Sequence, residues 1–174
     1  VHAGLLDDGD TELLRAALDG YTVDAVTERI GPLGQAALAR ADLAAVARLL
    51  TAGDPLETLI TLFVLGADVP EGAARRAVHP LPIERAVAAG LLDSTAGSVR
   101  ARVDVRPYGE PGRDWWVVSD FGADVRGGPL APDHVLGIGS AALTLAQATP
   151  REPVGTALDI GTGAGIQALH LGGH

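Results

Sequence analysis

The chain has 174 residues, 47% of them hydrophobic, 20% charged and only 3% aromatic, with a net charge of −9. That length and composition suit one packed domain, or two small ones if a seam shows, and they exclude a disordered tail. The absence of Cys excludes a disulfide scaffold and a thiolate zinc or iron–sulfur site, and the absence of Lys makes all 13 basic residues Arg.

The first ninety residues predict helices. Thr11 is placed to cap a helix through Leu13, Leu14, Ala17 and Leu18, stopped by Gly20. Thr22 opens a second through Val23, Val26 and Ile30, stopped by Gly31, and Pro32 suits the first turn of a third with Leu33, Ala36 and Ala37. Asp42 caps a segment with Leu43, Val46, Leu49 and Leu50. Asp54 and Pro55 then start one that aligns Leu56, Leu59, Ile60 and Phe63. Pro70 begins a short helix through Ala73, Ala74 and Ala77. Pro80 and Pro82 turn into another, with Ile83, Ala86 and Val87 ended by Gly90, and His79 is read as a turn residue.

Val99, Ala101, Val103 and Val105 alternate with Arg100, Arg102, Asp104 and Arg106, the pattern of a half-buried strand. Residues 107–114 read as a turn-rich loop and 115–119 as a second strand. Helices leading into a hairpin is the order of a winged helix, and equally of an unrelated ααββ unit. A Gly/Pro-rich stretch at 122–132 marks a seam. A helix is then predicted from Pro132 and Asp133 through Leu145. Gly137 and Gly139 imply either a close approach of backbone or ligand, or a true start near Ser140. Residues 156–160 read as a short buried strand, 161–165 as a tight loop, and Ile166, Ala168, Leu169 and Leu171 as the start of a helix. The expected division is 1–121, linker 122–132, and 133–174.

The strongest motif is Asp159-Ile160-Gly161-Thr162-Gly163-Ala164-Gly165. A strand feeding a glycine loop that opens a helix is the first βα unit of a nucleotide-binding sheet. Glycines let the backbone turn sharply and approach a ligand without a Cβ in the way. A dinucleotide fingerprint would need Gly where Ile166 stands, and a phosphate-cradling P-loop would need a Lys. A structural Gly-rich turn and another nucleotide fold remain the alternatives to what the D-x-G-x-G-x-G pattern suggests.

That pattern resembles motif I of class I S-adenosylmethionine-dependent methyltransferases. With Val117-Val118-Ser119-Asp120-Phe121, the stretch from Pro132 to Ser140 and Gly90-Leu91-Leu92-Asp93, the chain looks like an actinobacterial group of them. The absence of Lys and Asn likewise suits a GC-rich genome. The group is akin to release-factor glutamine and ribosomal-RNA guanine methyltransferases, with a winged-helix-like N-terminal domain. The resemblance implies an α+β fold: a helical domain with a winged-helix-like hairpin, then the first βα unit of an incomplete Rossmann-like domain. It implies S-adenosylmethionine as cofactor, held by Asp159, Gly161, Thr162, Gly163 and Gly165, with Gly139 and Ser140 closing over it. It also implies transfer to a nitrogen of a protein or RNA acceptor. The ribose-binding acid would lie about 20 residues past motif I, and roughly six more strands would follow, so catalytic residues are expected beyond position 174 and this segment alone is expected to be inactive.

Arg100, Arg102 and Trp116 of the expected wing are the candidate substrate contacts, against the plainer reading of a solvated strand face. Arg100, Arg102 and Arg106 would leave one face of an unbroken strand. Residues 1–60 carry 10 acids and 4 Arg, so stand-alone DNA binding is not expected. A non-catalytic winged-helix interaction module is the alternative function. His170 and His174 are read as a frayed end rather than a metal pair, and no metal is expected. No leader and no run long enough to span a bilayer is evident, so a cytoplasmic protein is predicted.

Overall fold

Short polar residues set the helix starts in the first third of the chain. The computed structural model describes residues 6–51, 53–110 and 113–172. Helix α1, Asp8–Ala17, is capped by Asp7, whose carboxylate accepts from the Asp10 N–H at 2.7 Å. Thr11 therefore lies inside the helix rather than at its cap, because the acidic lead-in offers an acceptor one turn earlier. Thr22 caps α2, Val23–Leu38, through the Ala25 N–H. This element is two helical pieces joined at Gly31, whose φ of 63° only glycine adopts freely, with Pro32 opening the second piece. Asp42 caps α3, Leu43–Ala47, and Asp54 caps α4, Pro55–Phe63. The predicted run to Leu50 is cut short: Leu49 and Leu50 turn out of the helix, bonding back three residues to Val46 and Ala47.

A compact α+β unit follows: β1 Val69–Pro70, α5 Glu71–Ala77, α6 Ile83–Ala88, β2 Leu92–Thr95 and β3 Ser98–Ala101. The three strands form an antiparallel sheet in the order β1-β3-β2, with Val99 opposite both Val69 and Ser94. Ala96 and Gly97 have φ of 53° and 83°, the left-handed pair that suits a two-residue hairpin turn.

The alternation from Val99 to Val105 is not one strand. It breaks at Arg102 and Val103, and the chain passes into a second sheet of β4, Asp104–Glu110, and β5, Arg113–Ser119. Val99, Ala101, Val103 and Val105 are all buried, so the inner face persists while the pairing partner changes. Alternation reports burial, not partnership. The predicted loop at 107–114 is instead mostly strand, with Tyr108 opposite Trp115 and Pro107 opposite Trp116.

One apolar cluster runs from Leu14 to Phe121 and includes Tyr21, Phe63, Val78, Leu92 and Val105. Two hydrogen bonds stitch the second sheet onto it. The Tyr21 hydroxyl donates to the Val105 carbonyl at 3.0 Å, and Trp116 Nε1 donates to the Tyr21 carbonyl at 2.8 Å.

Beyond the cluster lie α7 Ala123–Arg126, α8 Ser140–Ala148 and α9 Ile166–Leu171. Helix α7 falls within the predicted linker, and Val125 packs on the apolar cluster. Helix α8 starts at Ser140, not Pro132. Asp120 takes up the backbone ahead of it: its N–H donates to the Val135 carbonyl at 3.0 Å and its carboxylate accepts from the Val135 N–H at 2.9 Å. Residues 156–160 form no strand, and Leu158 and Ile160 are 83% and 88% exposed rather than buried. A parallel strand needs neighbours to receive its hydrogen bonds, and none of the described residues pairs there. No helix of the described residues is long and apolar enough to cross a membrane.

Candidate functional site

The loop after residue 160 is built from backbone that side chains resist. Gly161, Gly163 and Gly165 have φ of 76°, 54° and 80°. A Cβ at 161 or 165 would meet nothing within 4 Å, so it is the backbone conformation, not packing, that calls for glycine there. The Thr162 hydroxyl donates to the Asp159 carbonyl at 3.0 Å, and the Gly165 N–H donates to the Thr162 carbonyl at 2.9 Å, which closes the turn before α9.

This loop forms one wall of a cleft of about 710 Å³. Asp159, Gly161, Thr162 and Gly163 line that wall. Asp159 Oδ2 is buried and has no hydrogen-bond partner among the described residues. A buried unpaired carboxylate oxygen is costly, so a donor or cation placed against it would be stabilising. Gly137 and Gly139 line a second wall. A Cβ at Gly137 would sit 2.6 Å from Ser119 Oγ, so that glycine admits strand β5, whereas Gly139 has open space around it. Ser140 begins α8 and Gly165 caps α9 beside the cleft, without lining it.

The third wall comes from β4 and β5, through Asp104, Arg106 and Ser119. Arg106 Nε donates to both oxygens of Asp104, at 3.0 and 2.8 Å. Burial nevertheless pushes the Asp104 carboxyl up to about 6. Arg106 opposes the shift, and Asp124 adds a smaller push upward. The Tyr21 hydroxyl is also held above its ordinary value, first by burial and then by Asp104. Sequence reasoning placed Asp104 and Arg106 only on the polar face of the expected strand, and did not bring them to the glycine loop. The available signal was an acid and a cation two residues apart on the same strand face.

The candidate substrate residues sit apart from this cleft. Arg100 Nε donates to the Gly66 carbonyl at 2.6 Å and ties β3 to the turn after α4. Arg102 lies 3.4 Å from Asp93 and lines an adjoining, smaller cavity of about 300 Å³, which shares Asp120 and His134 with the cleft. Trp116 packs on the core.

His170 is not frayed. It is buried in the last turn of α9, with Nε2 2.5 Å from the Tyr108 hydroxyl and its ring edge-on to both Tyr108 and Trp115. His174 lies outside the described residues. Among the described residues, no group of three or more His, Cys, Asp or Glu is placed to hold a metal ion.

Residues 18–102 match the family described as "Domain of unknown function (DUF7059)". No curated protein and no solved structure matches the chain. The matched stretch runs from the end of α1 to the bend between the two sheets, so it holds the three-stranded sheet and stops short of the hairpin and the glycine loop.

Proposed function

We propose that this chain is the recognition domain and first cofactor-binding unit of an S-adenosylmethionine-dependent methyltransferase. The observation that carries the reading is the buried Asp159 oxygen, without a hydrogen-bond partner among the described residues, beside the left-handed Gly161 and Gly163 on the wall of an open cleft. When bound, S-adenosylmethionine supplies a methyl group on a positively charged sulfur, transferable in line to a nitrogen lone pair. Asp159 holds the cationic amino-acid end, because a carboxylate shielded from water attracts a cation strongly. Gly161 and Gly163 let the backbone lie against the cofactor. The Asp104–Arg106 wall and the 134–139 segment orient the ligand and keep water away. In this reading Leu158 and Ile160 are sheet-core residues whose neighbouring strands lie outside these 174 residues.

The α4–β1–α5–α6–β2–β3 succession, with the strand order β1-β3-β2, suits a winged helix with the 96–97 turn as its wing. On its third helix, α6, Glu84 is paired with Arg75 at 2.9 Å and Arg85 with Asp10 at 2.6 Å. With Glu84 and Arg85 already paired and the chain as a whole at −9, a protein acceptor suits this reading better than RNA.

Calorimetry and thermal melting of the intact protein with S-adenosylmethionine test the proposal. At a hundredfold excess over Kd the ligand is expected to stabilise the fold by about 2.7 kcal/mol. Gly163→Val, which forces a β-branched residue to the φ of 54°, is expected to abolish that gain. Binding of NAD in place of S-adenosylmethionine would overturn the reading. Binding of neither would favour the non-catalytic interaction module.

A further inference from the structure

The β4–β5 hairpin touches the cleft region at two places. Near its open end, Asp104, Arg106 and Ser119 line the same cleft as the glycine loop. Four residues along β4, roughly 13 Å at the usual rise of a strand, Tyr108 and Trp115 meet α9. Their rings stack on each other at 5.9 Å, and both meet His170 edge-on.

Helix α9 has only six residues. A helix that short does not hold itself, so tertiary contacts must set its orientation. Three do so among the described residues: Ile166 is buried, Gln167 Nε2 donates to the Ala142 carbonyl at 2.8 Å, and His170 is held by the hairpin. Arg151 Nη2 lies 3.2 Å from His170 Nδ1. Arg151 therefore meets one ring nitrogen and the Tyr108 hydroxyl the other, so both edges of the ring are engaged. The glycine loop is the segment immediately before α9, so whatever fixes α9 also fixes the exit of that loop. The hairpin itself is anchored to the core by Trp116 and Val105 through Tyr21.

We infer that Tyr108, Trp115 and His170 are positioning residues for the cofactor loop, through which the hairpin couples the recognition domain to ligand binding in the cleft. The inference rests on the S-adenosylmethionine reading above. Ligand that seats against residues 159–163 settles the loop and α9 and so alters the surroundings of Trp115. In turn, loosening the Tyr108–His170 contact weakens ligand binding without touching a residue that lines the cleft.

The test uses the intact protein and S-adenosylmethionine, with Kd from calorimetry and tryptophan emission recorded in the same titration. The wild type is expected to bind and to change emission, and Trp115→Phe to lose that spectral change. Tyr108→Phe, which removes one hydroxyl and keeps the ring, is expected to raise Kd about three- to tenfold, the effect of one hydrogen bond, while leaving the melting temperature without ligand nearly unchanged. His170→Gln, whose amide can both donate and accept, is expected to keep most of the affinity that His170→Phe loses. Wild-type binding with an unchanged Kd in Tyr108→Phe and a silent Trp115 would overturn this inference alone. No binding by the wild type would overturn the cofactor reading and this inference with it.

Discussion

The apolar cluster at 14–121 and the segment at 133–172 are written in the same alphabet of Leu, Val, Ile and Ala, yet they bury it very differently. In the first, Phe63, Ile60, Leu62, Val99 and Val105 are sealed from solvent. In the second, Leu136, Leu145, Leu158 and Ile160 stay exposed, and Ala146, Ile166 and His170 are the buried residues among those described. The lesson is that hydrophobic pattern states a demand for partners, and only the first region meets it from within. The sharpest way to break this comparison is a pair of truncations. Phe63→Ala is expected to cost about 3–5 kcal/mol, because it opens a cavity in a closed core. Leu158→Ala is expected to stay within about 0.5 kcal/mol in the 174-residue chain. Chemical denaturation of both variants checks this, and a large loss at Leu158 would mean that this segment has a core of its own.

The same contrast explains what could be read in advance. The caps at Thr22, Asp42 and Asp54 and the break at Gly31 were legible because each acts within a few residues of itself. The bend at Arg102 and Val103 was not, because inward-facing valines continue through it and only the pairing partner changes. The β2–β3 hairpin was missed because Asp93, Ser94 and Thr95 show no apolar alternation and Ala96 carries no turn signal. The left-handed glycines of the candidate site were legible from spacing, whereas Asp104 and Arg106 enter the cleft only through the packing of β4 and β5. Strand 156–160 was expected from its composition, but a strand exists only when another receives its hydrogen bonds.

Asp104 belongs to the first region and faces the second, so its titration probes their meeting point. Its pKa of about 6 in the folded chain exceeds the ordinary 3.8. The native state therefore holds this proton more tightly than the unfolded state does. The charged carboxylate costs stability above pH 6, and the cost fades as pH falls from about 6 toward 4. Asp104→Asn is expected to raise stability at pH 7.5 by up to about 3 kcal/mol, at 1.36 kcal/mol per pKa unit. The advantage should shrink steadily toward pH 4, where the wild-type group is itself neutral. Arg106 keeps water on its 39% exposed side chain, so losing its charged partner offsets only part of the gain. Denaturation midpoints at pH 4, 6 and 7.5 check the sign. A variant less stable than wild type at pH 7.5 would show that the pairing with Arg106 outweighs desolvation.

The smallest effect expected comes from how the helices begin. In the first region, α1 to α4 each start on a side chain that accepts from the first turn: Asp7, Thr22, Asp42 and Asp54. In the second, α8 and α9 start on Gly139 and Gly165, with no such bond. The two glycines are not equivalent. Gly165 has φ of 80°, so a side chain there is strained, and glycine is required by the turn itself. Gly139 has φ of −126° and ψ of 162°, the ordinary conformation of a capping serine, and a Cβ there would meet nothing within 4 Å. Stability alone would therefore favour serine at 139. Gly139→Ser is expected to strengthen α8 by a few tenths of a kcal/mol, the usual advantage of serine over glycine at a cap. Gly139 also lines the cleft, so in the cofactor reading the added hydroxymethyl group takes space from the ligand and weakens S-adenosylmethionine binding. Helix content and melting temperature rising slightly while affinity falls would show a glycine kept for the cleft at the expense of the cap. A rise in both would remove Gly139 from the binding surface and leave the cofactor to the 159–163 wall.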